Sequence, residues 1–456
     1  MNFIKEFKIK TENFSSREKL LLKKLTLAVK LIAPLYAKQK NEKYPGANFY
    51  PFDANKEEIE KAAEKNPLIL DPYTFVERDK SGKLITIPFH IKFQKELKEI
   101  ANVLREAAKI SEDKVFALYL QSRAKALISD NYDQSNILWL KTAKSKIGFV
   151  IGPFDRYLDK LFFRKRAYMS WLGILDKKRT AEIERLKDMV LVTKKETLPE
   201  AQKVIIPKII SRVEDSIIFS GLIADFGFMF TGNNLPSSAD LHIIKKYGSI
   251  FTIFKPSLKL RFQKRIYPIF KKIFEKKILK KYSRQALYKI CLYQTSLHEI
   301  SHSLMRYQDA TERLKDLFPI FDELYADILR IKYLGFLSLK GIISHKELET
   351  GLIVFISQFF ARWIDWLEKH IIIHYTTGAI IALNFFLEKK VINIKNKFIW
   401  IDFNKVFICN DELSELLEHY LALGNYKEAK GFINRYSSFK IFEKLLPRGV
   451  ILKEEK

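Results

Sequence analysis

His298-Glu299-Ile300-Ser301-His302, followed by Phe321-Asp322-Glu323-Leu324-Tyr325-Ala326-Asp327, are the stretches on which the reading of this chain turns. On a helix, residues four apart sit one above the other, so both imidazoles reach a single metal ion. Glu299 then projects beside the metal, where a carboxylate takes a proton from an activated water. A catalytic zinc uses three protein ligands and leaves one position for water, so a third ligand is needed on a nearby element. Glu323 is the candidate, with one zinc per chain. Glu323 and Asp327 share a face at i and i+4, while Phe321, Leu324 and Ile328 form the apolar side of a return helix laid beside the first. Asp322 or Asp327 would accept the free N–H of a ligating imidazole and fix its tautomer. Hydrolysis of an amide also calls for a second donor at the developing oxyanion. His374 and several tyrosines are candidates for that role.

Outward from the motif the two halves of the chain differ. The first half is mixed: helical periodicity runs through Arg17 to Lys38, Lys56 to Lys65 and Phe93 to Ile110. Tyr73 to Glu77 and Leu84 to Pro88 flank a polar turn and read as a hairpin. Ile147 to Ile151 reads as a strand ended by Gly152-Pro153, and Arg166 to Leu175 as a further strand. From about Leu198 onward helices are expected to dominate, interrupted by a Gly/Asn/Pro/Ser-rich loop from Thr231 to Ser238. Phe262 to Arg284 reads as a densely basic helix with a solvated face. Further helices are expected over Leu314 to Leu339, Lys346 to His370 and from Ile371. A short strand pair (Val391 to Ile394 with Phe398 to Ile401) and helices within Glu412 to Lys444 complete the chain. The fold class is α+β, predominantly helical.

Composition sets the bounds. A chain of 456 residues, 47% hydrophobic and 29% charged, has the make-up of a soluble globular protein with a sizeable core. The formal net charge of +27 raises the option of an anionic partner, but no nucleic-acid module is visible and no specific nucleic acid is expected. Two cysteines, Cys291 and Cys409, exclude a disulfide framework and fit a reducing, cytoplasmic setting. Ile371 to Leu387 lacks Asp, Glu, Lys and Arg, yet His374, Thr377, Asn384 and Glu388 line one side of it. Such a stripe suggests a buried helix presenting chemistry, and no membrane span is expected.

Taken together these residues resemble the dipeptidyl peptidase III family of zinc exopeptidases, over roughly Tyr50 to Tyr436 and most closely its shorter bacterial members. Asp322-Glu323-Leu324-Tyr325-Ala326-Asp327 looks like the family motif Glu-Glu-x-x-Ala-Glu/Asp, whose second acid binds zinc. Ile151-Gly152-Pro153-Phe154-Asp155-Arg156-Tyr157 resembles a segment whose tyrosine hydrogen-bonds the scissile carbonyl. His374, with Gly378 and Leu383-Asn384-Phe385-Phe386-Leu387-Glu388-Lys389, resembles the stretch bearing a transition-state histidine. Asn234-Leu235-Pro236 resembles a loop that contacts the substrate backbone. The resemblance implies two lobes around a deep cleft, a helical zinc-binding lobe and a mixed lobe with a small β-barrel. It places a mixed lobe at 1–175, a first helical pass at 176–215, a return to the mixed lobe at 216–260, the zinc lobe at 261–430 and a C-terminal helical segment at 431–456.

The sequence also departs from the family. The usual zinc motif has six residues, H-E-x-x-x-H, and this chain has the regular five-residue form. Family members grip the peptide's free amine with two glutamates and asparagines; here those positions hold Asp155, Met169, Asn234 and Ser237. An anion lost from such a pocket removes a charge-assisted hydrogen bond worth ~1.5–3 kcal/mol. The expectation is a zinc metallopeptidase of short peptides, dipeptidyl-peptidase-like, with weakened preference for a free N-terminus. The alternatives are a zinc hydrolase of another amide and a basic, non-enzymatic scaffold. Arg156, Arg164, Lys165 and Arg166 either favour an acidic substrate or are solvated. The oligomeric state stays open.

Overall fold

Two structural units are built from interleaved stretches of the chain. The computed structural model describes residues 3–8, 12–192, 208–237, 240–304, 307–369, 373–438 and 440. Unit 1 comprises Met1–Thr180, Ile206–Phe230 and Leu235–Ser257, and unit 2 comprises Ala181–Ile205, Thr231–Asn234 and Leu258–Lys456. The C-terminal segment expected beyond 440, and the end of the loop at Ser238, lie outside the described residues.

Unit 1 is a curled half-barrel sheet backed by helices, which is the small barrel expected of the mixed lobe. Its strands are β1 (Ile4–Glu6), β4 (Ile147–Asp155), β5 (Ala167–Leu175), β6 (Ile209–Gly221) and β8 (Ser249–Phe254); β2 (Thr74–Arg78) and β3 (Leu84–Pro88) form the expected hairpin apart from it. β4 pairs antiparallel with β5, β5 antiparallel with β6, and β6 parallel with β8, while β1 lies along the end of β6. Helix α1 (Ser16–Gln39) opens with a capping box between Ser15 and Glu18 and packs its stripe of Leu25, Val29, Ile32 and Tyr36 against β5 and β6. Helices α2 (Gln94–Ile110) and α3 (Lys114–Leu127) pack on each other, and α2 on α1.

Three expectations change here. β4 does not stop at Gly152-Pro153 but runs to Asp155, with a register shift between Pro153 and Asp155. Proline is tolerated because β4 is an edge strand, where its missing N–H breaks no ladder. Ile209–Gly221, expected among helices, is the longest strand and lies inside the sheet. Both its faces are covered, so its residues do not alternate as a half-buried strand would. The stretch from Thr231 to Ser238 likewise holds a short strand, β7 (Gly232–Leu235), followed by a cis Leu235-Pro236 bond.

Unit 2 is helical. Its main helices are α4 (Arg284–Leu304), α5 (Phe318–Leu339), α6 (His345–Lys369), α7 (Ile373–Glu388), α8 (Phe403–Ala422) and α9 (Tyr426–Tyr436), with the hairpin β9 (Ile392–Lys395) and β10 (Phe398–Ile401) between α7 and α8. α5 is central, packing against α4, α6, α7 and α8, and most of its residues are buried. Gly335 permits the approach of α8, since a Cβ there would stand 2.5 Å from a ring carbon of Phe407. The basic stretch from Phe262 is not one helix. The helix that starts at Lys255 runs on through a π turn at Phe262–Ile266 to Ile273, and a short helix follows at Lys276–Lys281, with Lys271, Lys272, Lys276, Lys277, Lys280 and Lys281 exposed. Among the described residues no helix is long and apolar enough to cross a membrane.

Candidate metal centre

α4 carries an unusual load of buried polar side chains, including Thr295, Ser296, His298, Glu299, Ser301, His302 and Ser303. The hydroxyls are accommodated within the helix itself. Thr295 donates to the Cys291 carbonyl, Ser296 to that of Leu292 and Ser301 to that of Leu297. The helix therefore stays regular through the pentapeptide, and His298 and His302 point the same way.

The two rings and Glu323 of α5 meet at one point. Glu323 Oε2 lies 3.1 Å from His298 Nε2 and 3.4 Å from His302 Nε2, and the two Nε2 atoms are 3.2 Å apart. Ligands of a tetrahedral zinc at ~2.0–2.1 Å are separated by about 3.3 Å, so the donor set and its spacing fit the ion. Among the described residues, this is the group of histidine and carboxylate side chains suited to holding a metal. All three side chains are buried.

The surrounding groups fix the ligands. His298 Nδ1 is 2.9 Å from Asp327 Oδ1, and His302 Nδ1 is 3.3 Å from Asp322 Oδ2. Asp327 is placed to accept from His298 Nδ1–H, and Asp322 stands as a charged partner on the Nδ1 side of His302, so both Nε2 atoms face Glu323. Burial alone would lower both imidazoles; Asp327 and Glu323 at His298, and Asp322 and Glu323 at His302, outweigh it and raise them. Burial likewise opposes ionisation of Asp327, but the guanidiniums of Arg330 and Arg362, with His298, hold its carboxyl well below the usual range. Arg362 of α6 grips Asp327 with both terminal nitrogens, and Arg330 Nη2 lies 3.3 Å from the same carboxylate. Thus the carboxylates of Asp322, Glu323 and Asp327 stand around the two imidazoles, with the guanidiniums of Arg330 and Arg362 against Asp327.

A dipeptidyl peptidase III structure from Caldithrix abyssi aligns over 98% of this chain and 96% of its own, at TM-score 0.82 and 21% identity. That of the dipeptidyl-peptidase III from Corallococcus sp. strain EGB aligns over 99% and 94%, at TM-score 0.86 and 22% identity. The fold is that of dipeptidyl peptidase III. No family model matches the chain. A curated relative, "Nudix hydrolase 3" of Arabidopsis thaliana, is 25% identical over 434 residues, 86% of this chain and 54% of that protein. The chain thus spans about half the length of the curated relative it matches.

On this dipeptidyl peptidase III fold the other expected residues divide between the units. Unit 2 holds His374 at the start of α7, beside Tyr375, whose ring lies 5.3 Å from the Arg362 guanidinium. It also holds Asn234, whose side-chain amide donates to the Glu299 carbonyl at 2.8 Å and to Ser303 Oγ at 2.7 Å. Unit 1 holds Tyr157, Asp155 and Ser237. The Asp155 carboxylate accepts the Tyr157 N–H at 2.8 Å, and the Tyr157 ring packs near Phe163 and Phe226. Ser237 donates to Asp240, which also binds Arg166. Met169 is fully buried between Gly152 and Gly221 of the neighbouring strands. Of the basic cluster beside it, Arg156, Lys165 and Arg166 are buried and not solvated, while Arg164 is half-buried. Lys165 donates to the Asp71 carbonyl and Thr74, and burial with nearby Arg166 lowers Arg156 to about 10.

Three residues near the metal centre escaped the sequence reading. Arg362 had a signal, a lone cation in the apolar run Phe359-Phe360-Ala361-Arg362-Trp363, and Arg330 stands three residues after Asp327 on the same helix. Glu418 of α8 accepts from Tyr307 and Tyr325, each at 2.8 Å, tying the loop after α4 to α5. Nothing local marked it.

Proposed function

We propose that the chain is a member of the dipeptidyl peptidase III family and a zinc-dependent peptidase acting on short peptides. The observation that supports this most is the convergence of His298 Nε2, His302 Nε2 and Glu323 Oε2 beside a glutamate of the same helix. Those three side chains would hold one zinc per chain, which supplies the Lewis acid that activates water and polarises the scissile carbonyl. Glu299 accepts the water's proton and returns it to the leaving amine. Asp327 and Asp322 keep both histidines in the ligating tautomer. Tyr157 and His374 are assigned to donate hydrogen bonds to the carbonyl oxygen as charge develops there. Asp155, Asn234 and Ser237 are assigned to the peptide's backbone and amine. Two buried thiols, Cys291 and Cys409, fit a reducing cytoplasmic setting.

The burial of Met169 and the bond from Asp155 to its own turn support a weakened grip on a free amine. The reading is tested with purified protein, metal analysis and a peptide library read by mass. His298→Ala should lose zinc, and Glu299→Ala should keep it while turnover falls by about a hundredfold or more. Activity persisting in Glu299→Ala contradicts the base assignment. Free peptides should be cleaved into N-terminal dipeptides faster than acetylated ones, by a modest factor. Equal rates for both would remove the exopeptidase element and leave an endopeptidase of the same chemistry.

A further inference from the structure

The strand segment Gly232 to Asn234 belongs to unit 2 and lies against the pentapeptide helix. Gly232 has no left-handed backbone conformation to explain it; the constraint is space. A Cβ at Gly232 would stand 2.5 Å from Glu299 Oε1, 3.0 Å from its Cδ and 3.1 Å from its Cγ. No ordinary carbon contact is that short, so the bare backbone of Gly232 forms a wall directly against the Glu299 carboxylate. The wall is also anchored. Asn234, two residues on, donates to the Glu299 carbonyl and to Ser303 Oγ one turn later. The strand is therefore tied to the backbone of the helix whose side chain it touches.

We infer that Gly232 is a positioning residue for Glu299: its missing side chain defines where the carboxylate rests, and Asn234 holds that boundary in place. The inference rests on the assignment of Glu299 as the proton acceptor. Enclosure on this side matters because a general base works only within hydrogen-bond reach of the proton it takes, and a shift of about 1 Å costs up to a hundredfold in rate. Any side chain at 232 meets an anchored strand on one side and a flexible glutamate on the other. The glutamate yields, and the fold does not.

The test uses the full chain loaded with zinc and a fluorogenic peptide. Gly232→Ala should keep its zinc content and melting temperature, with kcat down by about tenfold or more and KM little changed. Glu299→Asp withdraws the carboxylate by one methylene and makes room for the added methyl. In that background Gly232→Ala should cost far less than it does alone. Equal cost in both backgrounds, or a kcat for Gly232→Ala within twofold of the parent, overturns the inference. Should Gly232→Ala fail to accumulate, Asn234→Ala provides the second route, releasing the wall without crowding it. It should lower kcat at constant zinc content with KM little changed; a kcat within twofold of the parent, or a loss carried by KM alone as a substrate contact would give, overturns the inference. Turnover by Glu299→Ala would instead defeat the base assignment, a separate outcome.

Discussion

Asp327 sits between His298 and two arginines, and the direction of its influence can be read from its contacts. It takes the Nδ1 proton side of His298 and is itself held by both terminal nitrogens of Arg362. Removing the guanidinium leaves a buried carboxylate less firmly oriented, and the imidazole it steers with it. Arg362→Met is therefore expected to weaken zinc binding by tenfold to a hundredfold in competition with a chelator, with the far-ultraviolet spectrum unchanged. Unaltered zinc affinity would show that Arg330 alone suffices. At this scale the sequence was legible where the geometry is local. Both i, i+4 pairs, His298 with His302 and Glu323 with Asp327, follow from helical spacing alone. Arg362 is 35 residues from Asp327, and no spacing rule connects them.

The elements of the metal centre are braced from behind as well as from within. Glu418 of α8 is buried and accepts from Tyr307 and Tyr325. Burial, with the Glu418 charge, raises both phenols far above their ordinary range, so both remain donors. Tyr325→Phe would leave the carboxylate one donor short at a cost of about 1.5–3 kcal/mol, read as a lower denaturant midpoint with zinc content retained. A midpoint unchanged within error would mean that water or another donor replaces the phenol. Helices α1, α4, α5 and α6 were readable because each has an apolar face of helical period or a cap. β6 was not, because a strand covered on both faces carries no alternation and its charged Arg212 and Glu214 pair with each other inside the sheet.

At the scale of the whole molecule, the α+β, predominantly helical class was readable from the contrast between the halves of the chain, whereas two lobes were implied only by the family resemblance. The crossings between them were not, because short passages such as Thr231–Asn234 belong to unit 2 only by tertiary contact. The net charge of +27 has no single counterpart in the structure. Many of the basic side chains from Phe262 to Arg284 are simply exposed. A metal that binds only the folded chain links site occupancy to stability. An ion present at a thousandfold its dissociation constant adds about 4 kcal/mol to the folded state. Chelation should therefore lower the melting temperature by about 4 °C, measured calorimetrically at matched protein concentration. No shift on chelation, with zinc shown to be removed, would uncouple the centre from the fold.

The carboxylates around the two imidazoles also set a preference by sign. Asp322, Glu323 and Asp327 contribute three formal negative charges beside the two rings, and the guanidiniums of Arg330 and Arg362 are both set against Asp327. A cation between Glu323 and the rings would be drawn in by charge where solvent screens it poorly, and an anion would be turned away. Attraction by sign thus comes before ligand softness and bond length discriminate between one metal and the next.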